Sequence, residues 1–511
     1  MSEEKISVSY KASYNKTVPF NNRVDYCVGT GRMGLALQKE YYEQLKYVQD
    51  IIGFKHIRGH GLFTDDMAIY HEYEDENGDI CREYNFTYLD LVMDSYTSLG
   101  IKPFIELGFM PDKLASGEQT VFYWKGNVTP PKSYEGWCEL VKNTLRHLMD
   151  RYGADEVVTW PVEVWNEPNL PGFFKDADMA EYFKLFKETF YAIKEVDERF
   201  RVGGPAICGV NDEEWIRRFM EFCRDNSIPV DFITRHHYTT EMPEHAGHYS
   251  YQELTDAEYG KNNLHVTRQI VDSFSEYKGR KIHITEFNTS YVPNNPIHDT
   301  NQNAAYMAGQ LSWLGDDNES YSYWTFGDIF EEQGVPFTPF HGGFGMVANG
   351  VIPKPTFWTF AFYKKLSDYQ CIHRSDEAVI VRSGENEYRG VIWNSALKRN
   401  GRSLDFACDI DVQEGGEGQY SIIYSTVDEK CCNPYKVWHD MGEPSSLTEL
   451  QKETLRQAAV PFISSDRLDV KDGKLSIKRE LDEFAVVYFE CKKSEITSDR
   501  GFSYERAVMI P

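Results

Sequence analysis

The chain has few basic residues for its size and lacks several features that define other classes of protein. It carries 54 Lys and Arg against 80 Asp and Glu, a formal net charge of −26, which disfavours a nucleic acid or an anionic membrane as a partner. No apolar run approaches the length of a membrane span. No internal repeat or low-complexity segment is present. These absences favour a globular protein with a neutral ligand.

The ten Cys residues lack the spacing of a metal site. The adjacent pair Cys431-Cys432 is awkward for a simple disulfide framework, which favours reduced thiols and hence the cytoplasm. Residues Met1 to Ile6 show no basic start followed by an apolar core, so they do not resemble a secretory signal. We therefore expect a cytoplasmic protein that uses no metal and no other cofactor.

The chain is long and rich in aromatic residues. At 511 residues and 59.3 kDa it can form a large domain plus an accessory domain. Aromatic residues make up 14%, with 33 Tyr and 10 Trp. Flat aromatic side chains stack on the apolar faces of sugar rings, although core packing remains the default interpretation for most of them.

From about residue 23 to 366, short apolar segments typical of buried strands alternate with amphipathic segments typical of helices. The predicted strands are Tyr26–Thr30, His56–His60, Pro103–Leu107, Val162–Trp165, Arg201–Ala206, Phe232–His236, Ile282–Thr285 and Tyr321–Phe326. The predicted helices are Lys39–Ile52, Tyr88–Ser98, Tyr134–Arg151, Met179–Val196, Glu213–Asn226, Leu264–Tyr277, Gln302–Leu314 and Thr356–Leu366. Eight strands each followed by a helix predict an α/β fold, a (β/α)8 TIM barrel over residues 16–365.

Two glycine-rich segments suggest a rival fold. Gly29 to Gly34 has the spacing GxGxxG after the first predicted strand, as in a dinucleotide-binding open sheet. No acidic residue is clearly placed for a ribose, and no open-sheet pattern supports this interpretation. Gly342-Gly343-Phe344-Gly345 lies late in the chain, before Pro353-Lys354-Pro355, and is typical of a tight connection. The barrel is therefore preferred.

After Leu366 the pattern changes to short alternating segments, which are typical of an antiparallel β-sandwich. They are Ala378–Arg382, Tyr388–Trp393, Ser403–Ile410, Tyr420–Thr426 and Phe484–Glu490. We predict a β-sandwich accessory domain over residues 366–511, to which residues 1–15 add a strand. A helical insertion is predicted at Ser446–Ala458, with Ser446 as its cap.

Two carboxylates stand at matching positions in this barrel. Glu167 follows the fourth predicted strand, in Val-Trp-Asn-Glu-Pro, and Glu286 follows the seventh, in Ile-Thr-Glu-Phe-Asn. The C-terminal ends of barrel strands meet at one mouth, where catalytic groups lie. A single Glu would usually be a surface group or an ion-pair partner. Two facing carboxylates can cleave a glycosidic bond, if one donates a proton and the other attacks or activates water.

These motifs resemble the clan of retaining glycosidases built on this barrel, and further strings narrow the resemblance to glycoside hydrolase family 39, the β-xylosidases. The resemblance covers most of the chain. The strings that carry it are Arg58 to Phe63 (RGHGLF), Thr234 to Thr239 (TRHHYT), Trp324 to Glu332 (WTFGDIFEE), His341 to Gly345 (HGGFG) before Pro353 to Pro355 (PKP), and Val437 to Gly442 (VWHDMG).

The resemblance implies a role for the residues around the two carboxylates. It makes Glu167 the general acid/base and Glu286 the nucleophile, while Asn166 donates a hydrogen bond to the sugar 2-hydroxyl. His236 matches a substrate-site histidine, and Tyr238 matches a tyrosine that contacts the nucleophile.

The resemblance also implies a pocket for the terminal sugar. Trp324 would form its apolar floor, Glu331 and Glu332 would accept hydrogen bonds from the 3- and 4-hydroxyls, and His60 would line the same pocket. His237 departs from the small residue expected at its position. The pair His236-His237 does not predict a metal site, because neighbouring strand residues point in opposite directions.

These observations predict a retaining exo-β-1,4-xylosidase that releases xylose from the non-reducing end of short xylo-oligosaccharides by double displacement. An arabinosidase, glucosidase or uronidase on the same scaffold is the alternative. A uronidase would need a cationic group, which the Glu331-Glu332 pair opposes. A non-catalytic sugar-binding protein would have lost one carboxylate. The resemblance also suggests a homo-oligomer, specifically a tetramer, with contacts near Ser446–Ala458.

Overall fold

A computed structural model describes residues 5–494, 501 and 503–508. At its centre a parallel sheet closes into a barrel. The eight barrel strands are Cys27–Arg32, His56–His60, Lys102–Pro103 continued by Ile105–Leu107, Val162–Val164, Val202–Ile207, Phe232–Tyr238, Lys281–Asn288 and Ser320–Tyr323. The third strand is interrupted at Phe104: its first part pairs with the second strand and its second part pairs with the fourth. This split strand completes the ring.

A helix follows each strand. The eight helices are Lys39–Ile51, Thr87–Ser98, Tyr134–Tyr152, Met179–Val196, Asp212–Asp225, Ala257–Asp272, Asn301–Leu311 and Pro355–Lys364. Several begin at side-chain caps, since Ser133, Asp178 and Thr300 each accept a hydrogen bond from the first turn of the helix that follows. The predicted (β/α)8 barrel is confirmed, because each predicted strand and helix overlaps an observed one.

Short elements decorate the connections of the barrel. Single turns of helix lie at Met33–Leu37, Asp65–Met67, Ala154–Val157, Lys175–Ala177 and Pro296–Asp299. Four hairpins pair Tyr70–Glu74 with Ile80–Tyr84, Thr120–Val121 with Gly126–Asn127, Glu244–Ala246 with Tyr249–Tyr251, and Val347–Ala348 with Ile352–Pro353. The hairpins follow strands two, three, six and eight, so they surround the C-terminal mouth. At the other end, Cys27, Phe104 and Phe232 fill the barrel interior.

The accessory region is a β-sandwich of two sheets, as predicted. Its larger sheet has the order Gln370–Arg374, Ala378–Gly384, Glu387–Trp393, Val486–Lys493, Gln419–Val427 and Phe462–Asp469. Its smaller sheet consists of Lys5–Ser13, Ser403–Asp411 and Lys474–Leu481. The N-terminal strand pairs in parallel with Ser403–Asp411. Apolar residues of both sheets, including Ile380, Phe406, Ile422 and Ile477, form one core.

Helices also occur in the accessory region, at Pro434–Asp440, Glu449–Ala458 and Tyr504–Ala507. The second begins after Thr448 rather than Ser446, because Thr448 and Gln451 form a reciprocal capping box. Its Leu455 packs with Trp438 against Phe340 and Ile352 of the connection after barrel strand eight. Among the described residues, no helix combines the length and apolar character needed to cross a bilayer.

A buried ion triplet anchors the connection after strand eight. Lys354 Nζ lies 2.6 Å from Asp299 Oδ1 and 2.7 Å from Asp328 Oδ2, and the three side chains are at most 1% exposed. Lys354 also donates to the carbonyl of Gly343, while Asp328 accepts from the amide of Gly345. A Cβ atom at either glycine would collide with Asp328. The glycine-rich segment is therefore a tight connection, as its sequence indicates.

We expect Lys354→Met to lower the free energy of unfolding by about 3–5 kcal/mol, because it leaves two buried carboxylates without a cation. The change is measured by thermal or urea unfolding. Lys46→Met is the matched control: Lys46 pairs with Asp50 on an exposed helix face, so its loss should leave stability unchanged within error. Equal effects of the two substitutions would contradict the prediction.

Candidate active site

Most of the predicted site residues line one cavity of about 500 Å³ at the C-terminal mouth of the barrel. The elements that bring them there are strands two, six and seven and the segments that directly follow strands four and eight. The predicted residues in its wall are His60, Asn166, Glu167, His236, Tyr238, Glu286, Trp324 and Glu332.

Glu167 is aimed into the cavity by an unusual turn at the end of strand four. Trp165 and Glu167 both have left-handed backbone conformations, with φ of 72° and 44°. Residues other than Gly rarely adopt this conformation. Neighbouring strands hold the turn. The backbone amide of Trp165 donates to the carbonyl of Leu107, and the backbone amide of Glu167 donates to the carbonyl of Ala206. The Trp165 indole donates to the carbonyl of Phe173. Tertiary contacts therefore maintain this strained geometry.

Arg58, in strand two, connects most of the polar groups beneath the cavity. Its guanidinium donates to Glu286 at 2.7 Å, to Asn166 at 3.0 Å and to Glu163 at 2.5 Å, and it lies 2.9 Å from Glu106. Burial lowers the pKa of Arg58, but the charges of Glu163, Glu106 and Glu286 raise it by more than burial lowers it. The side chain therefore stays cationic. Sequence reasoning did not select this residue.

A signal for Arg58 was present in the sequence. Arg58 stands two residues before His60 in the same strand, and residues two apart in a strand face the same side. Once His60 was placed in the mouth, Arg58 had to face the barrel interior, where a cation requires carboxylate partners.

Glu286 is surrounded by groups that stabilise its ionised form. Its Oε1 accepts from Arg58, and its Oε2 accepts from the hydroxyl of Tyr238 at 2.7 Å. Nδ1 of His236 lies 3.4 Å from the same Oε2. A carboxylate with a cation on one oxygen and a hydroxyl donor on the other is suited to act as an anion.

Glu167 has the opposite environment. It is buried, and its Oε1 lies 2.7 Å from Nδ1 of His236. Burial raises the pKa of Glu167 to about 7 and lowers the pKa of His236 to about 4, so the imidazole is neutral. The carboxyl therefore keeps its proton to a higher pH than an ordinary glutamate does. The two glutamates thus have different surroundings: a cation and a hydroxyl donor contact Glu286, whereas a neutral imidazole contacts Glu167.

The two carboxyl groups are close together. One oxygen of Glu167, one oxygen of Glu286 and a ring nitrogen of His236 all lie within 4.8 Å of one another. In glycosidases, carboxyl separations of about 5–5.5 Å accompany retention of configuration, and about 6.5–9.5 Å accompany inversion. These three groups could also approach a metal ion, but Arg58 already places a positive charge 2.7 Å from Glu286, which disfavours a second cation.

His60, Trp324 and Glu332 stand together in one part of the cavity wall. The rings of His60 and Trp324 lie 4.6 Å apart, and Nε2 of His60 lies 3.9 Å from Glu332 Oε1. Burial, together with the charges of Glu286 and other carboxylates, raises the pKa of Glu332 well above its ordinary value. A flat indole beside two polar side chains suits a sugar ring with free hydroxyls.

Glu106, a second residue that sequence reasoning missed, orients His60. Its Oε2 lies 2.7 Å from Nδ1 of His60. Burial raises the pKa of Glu106 to about 8, although Arg58 opposes this, and burial lowers the pKa of His60 to about 4. This contact fixes the orientation of the His60 ring, so that its Nε2 lies 3.5 Å from Glu286 Oε1 and 3.9 Å from Glu332 Oε1.

The GxGxxG segment makes room for the aromatic residues of this wall. A Cβ atom at Gly29 would collide with the indole of Trp324, and one at Gly31 would lie 3.0 Å from the ring of Phe330. Trp324 and Phe330 pack edge to face at 5.9 Å. The first two glycines of this segment are therefore explained by aromatic packing, and the third, Gly34, lies against the ion pair of Arg32 and Asp66.

The sequence leaves open which of Glu331 and Glu332 contacts the sugar; in the structure Glu332 lines the cavity and Glu331 does not. Arg32 donates to Glu331 Oε2 at 2.9 Å, and Arg32 also pairs with Asp66. This ion pair holds Glu331 against Arg32, while Glu332 lines the cavity.

His237, the departure from the family pattern, also lines the cavity and packs against the helices outside strand six. Its ring meets the ring of Trp313 edge-on at 5.9 Å, and its Nε2 lies 3.4 Å from Gln310 Oε1. A Cβ atom at Gly260 would lie 3.0 Å from the His237 ring. The glycine in the sixth barrel helix therefore provides the space that this larger side chain needs.

Comparison with known proteins gives matches over nearly the whole chain. The profile of the family described as "Glycosyl hydrolases family 39" matches residues 5–476. A Beta-xylosidase of Geobacillus stearothermophilus is 46% identical over 487 residues, 94% of this chain and 95% of that protein. A Beta-xylosidase of Caldicellulosiruptor saccharolyticus is 37% identical, with coverage of 89% and 91%. The crystal structure of a monomeric beta-xylosidase from Caulobacter crescentus CB15 superposes with a TM-score of 0.83 at 29% identity, covering 96% of this chain and 100% of that one.

Glu167→Gln should stabilise the protein more at pH 8 than at pH 5. The folded-state pKa of Glu167, about 7 against an ordinary 4.5, means that the fold binds the proton more tightly, so stability is lost as pH rises between those values. The gain at pH 8 should be up to about 3 kcal/mol, the upper bound set by the pKa difference.

Thermal unfolding midpoints at the two pH values measure the effect. Glu118→Gln, in an exposed connection, is the control and should show no pH-dependent gain. A Glu167→Gln midpoint equal to or below that of the parent protein at pH 8 would contradict the prediction.

Proposed function

The chain belongs to glycosyl hydrolases family 39 and is a glycoside hydrolase, and we propose that it is a retaining exo-β-1,4-xylosidase that releases xylose from the non-reducing end of short xylo-oligosaccharides. The observation that carries this proposal is the close pair Glu167 and Glu286, whose oxygens approach within 4.8 Å. The names of the two relatives matched over nearly the whole chain support xylose as the sugar.

In the first step, Glu286 attacks the anomeric carbon of the bound xylose. The bond from that carbon to the leaving oxygen breaks as a bond to the Glu286 carboxylate forms, and Glu167 donates its proton to the leaving oxygen. Arg58 donates to the side-chain oxygen Oδ1 of Asn166. The side-chain NH2 of Asn166 is therefore left to donate to the sugar 2-hydroxyl. That hydrogen bond strengthens as positive charge develops at the anomeric carbon.

In the second step, water takes the place of the departed alcohol. Glu167, now a carboxylate, accepts a proton from the water as the water oxygen attacks the anomeric carbon and releases Glu286. Two inversions leave the product with the configuration of the substrate. The neutral His236 beside Glu167 can keep one hydrogen bond to this carboxyl in both of its protonation states.

We propose that recognition of a chain end depends on Glu332, His60 and Trp324, which stand together in the cavity wall. A wall that binds the free hydroxyls of the terminal sugar admits no further sugar unit at that end. Glu332 accepts hydrogen bonds from the free 3- and 4-hydroxyls. A uronidase is disfavoured because Arg58 already contacts three carboxylates and Arg235, which lines the cavity, pairs with Asp212.

The cellular setting belongs to the same proposal. All ten Cys residues are free thiols, which supports a cytoplasmic location, where the substrate would be an imported oligosaccharide. Assembly into a homo-oligomer remains a prediction from the family resemblance. The Caulobacter crescentus relative is described as monomeric, so family members need not share one oligomeric state.

The stereochemistry of the products tests the mechanism. Proton NMR of xylobiose hydrolysis should show β-xylose first, because double displacement retains configuration. With 2,4-dinitrophenyl β-xyloside and added azide, Glu167→Ala should give β-xylosyl azide, since azide replaces the water that needs a general base. Glu286→Ala should give α-xylosyl azide by direct displacement.

Each part of the proposal can be contradicted by a different experimental result. An initial α-anomer from the unmodified enzyme would refute retention. Azide products with the opposite assignment would exchange the roles of Glu167 and Glu286. Random mid-chain cleavage of xylan would refute the exo-acting pocket, and faster release of arabinose or glucose from matched aryl glycosides would change the assigned sugar.

The neighbouring glutamates Glu331 and Glu332 provide a matched pair for testing the sugar pocket. Glu332→Gln should lower kcat/KM for aryl β-xyloside by at least about tenfold, or roughly 1.4 kcal/mol, because an NH2 donor replaces one of the two oxygens that accept from the sugar hydroxyls. Glu331→Gln should have a much smaller effect, since Glu331 pairs with Arg32 outside the cavity. A larger loss from Glu331→Gln would reverse the assignment.

A further inference from the structure

A second cavity, of about 270 Å³, lies where the barrel meets the accessory region. Its barrel side comes from the helices Ala257–Asp272 and Asn301–Leu311, and its accessory side includes Asp376, Trp393 and residues 395–397. We call it the interface cavity. None of the described residues lines both this cavity and the catalytic one, so the interface cavity is a separate feature of the molecule.

Two buried N–H groups in the wall of the interface cavity have no acceptor. Trp393 is 1% exposed and Gln310 is 2% exposed, and within the described part of the chain no group accepts from Trp393 Nε1 or Gln310 Nε2. The amide oxygen of Gln310 is already engaged, since it lies 3.4 Å from Nε2 of His237. Burying a donor without a partner costs about 1–3 kcal/mol. The wall therefore offers two donors to a ligand that carries acceptor oxygens.

Gly309, also in this wall, leaves space beside the indole of Trp393. A Cβ atom at Gly309 would lie 3.5 Å from Trp393 Nε1, and it would meet no other described atom outside its own helix within 4 Å. Gly in the interior of a helix is less stable than Ala by about 1 kcal/mol. Helix stability therefore does not account for Gly309, whereas access to the Trp393 N–H does.

The charged groups of the wall favour a neutral ligand. The carboxylates of Asp256, Glu258 and Asp376 line the cavity together with Lys261, whose ammonium lies 2.8 Å from Glu258. This excess of negative charge disfavours an anion. A cation is also disfavoured, because it carries no acceptor for the two N–H groups.

Hydroxyl groups match the remaining requirements. A hydroxyl can accept from an N–H group and donate to a carboxylate, and Trp313 adds an aromatic ring that suits the apolar face of a sugar. Cavities that hold drug-sized ligands measure about 300–1,000 Å³. The smaller interface cavity therefore suits one monosaccharide rather than an oligosaccharide.

We propose that the interface cavity is a second, non-catalytic binding site for a single neutral sugar. Trp393 Nε1 and Gln310 Nε2 donate to two of its oxygens, and Asp376 accepts from a hydroxyl. Xylose is the sugar that we assign, because it is the product formed in the catalytic cavity, which His237 lines next to Gln310. The choice of xylose rests on the proposed function, whereas the site itself does not.

Fluorine NMR of the protein labelled with fluorotryptophan tests the site. The signals of Trp393, Trp324 and Trp438 are assigned by their loss in the corresponding Trp→Phe variants. Added xylose should shift the Trp393 signal saturably, and it should shift the Trp324 signal through the catalytic cavity. Trp438 is the control: its indole donates to the carbonyl of Pro444 at 3.0 Å in the accessory region, so its signal should not respond.

Gly309→Ala tests where the ligand binds. The added methyl group should stabilise the helix while it covers Trp393 Nε1. The xylose concentration that half-saturates the Trp393 shift should therefore rise by at least about tenfold, as a hydrogen bond to the sugar is lost. The half-saturating concentration for Trp324 in the same sample should not change.

A Trp393 signal that does not respond to xylose would overturn the proposal. So would a response that Gly309→Ala leaves unchanged, because the shift would then be transmitted from the catalytic cavity. Failure of the proposed function gives a different result: the Trp324 signal would not respond to xylose, while the Trp393 signal still would.

Discussion

The contact between the Arg58 guanidinium and its carboxylate partners organises the whole active site. This one cation reaches Glu286 and Asn166 directly and is also bonded to Glu163 and close to Glu106. A guanidinium presents several donors in a fixed plane, so it fixes the relative positions of groups from strands three, four and seven. Lys could not replace this geometry, because an ammonium on a flexible stem has no such plane.

Burial then gives the acidic groups different chemistry. Glu286 accepts a hydrogen bond from the cationic Arg58, whereas Glu167 contacts the neutral His236. Burial raises the pKa of Glu167 to about 7. Desolvation favours the neutral form of a carboxyl, and a nearby cation favours the charged form. The same fold therefore prepares one acid and one anion a few ångströms apart, at a cost in stability that the rest of the core must offset.

The connection after strand eight shows how distant residues shape the sugar pocket. The buried triplet around Lys354 holds this connection from below, and the accessory helices pack on it at Phe340 and Ile352. Glycines at positions 29 and 31 clear space for its aromatic residues. The accessory region thus contributes to the site by supporting the segment that carries Glu332, although it lies outside the barrel.

The sequence alone determined the barrel, the sandwich and the two facing glutamates, because apolar periodicity and strand-end motifs are local properties of the chain. Tertiary structure decided the rest. It separated Glu332 from Glu331 through the ion pair with Arg32, revealed Arg58 and Glu106 as partners of site residues, and assigned the first glycine of the GxGxxG spacing to packing against Trp324. These depend on which side chains meet across distant strands, since burial and charge at a site are properties of the folded neighbourhood and not of any single segment.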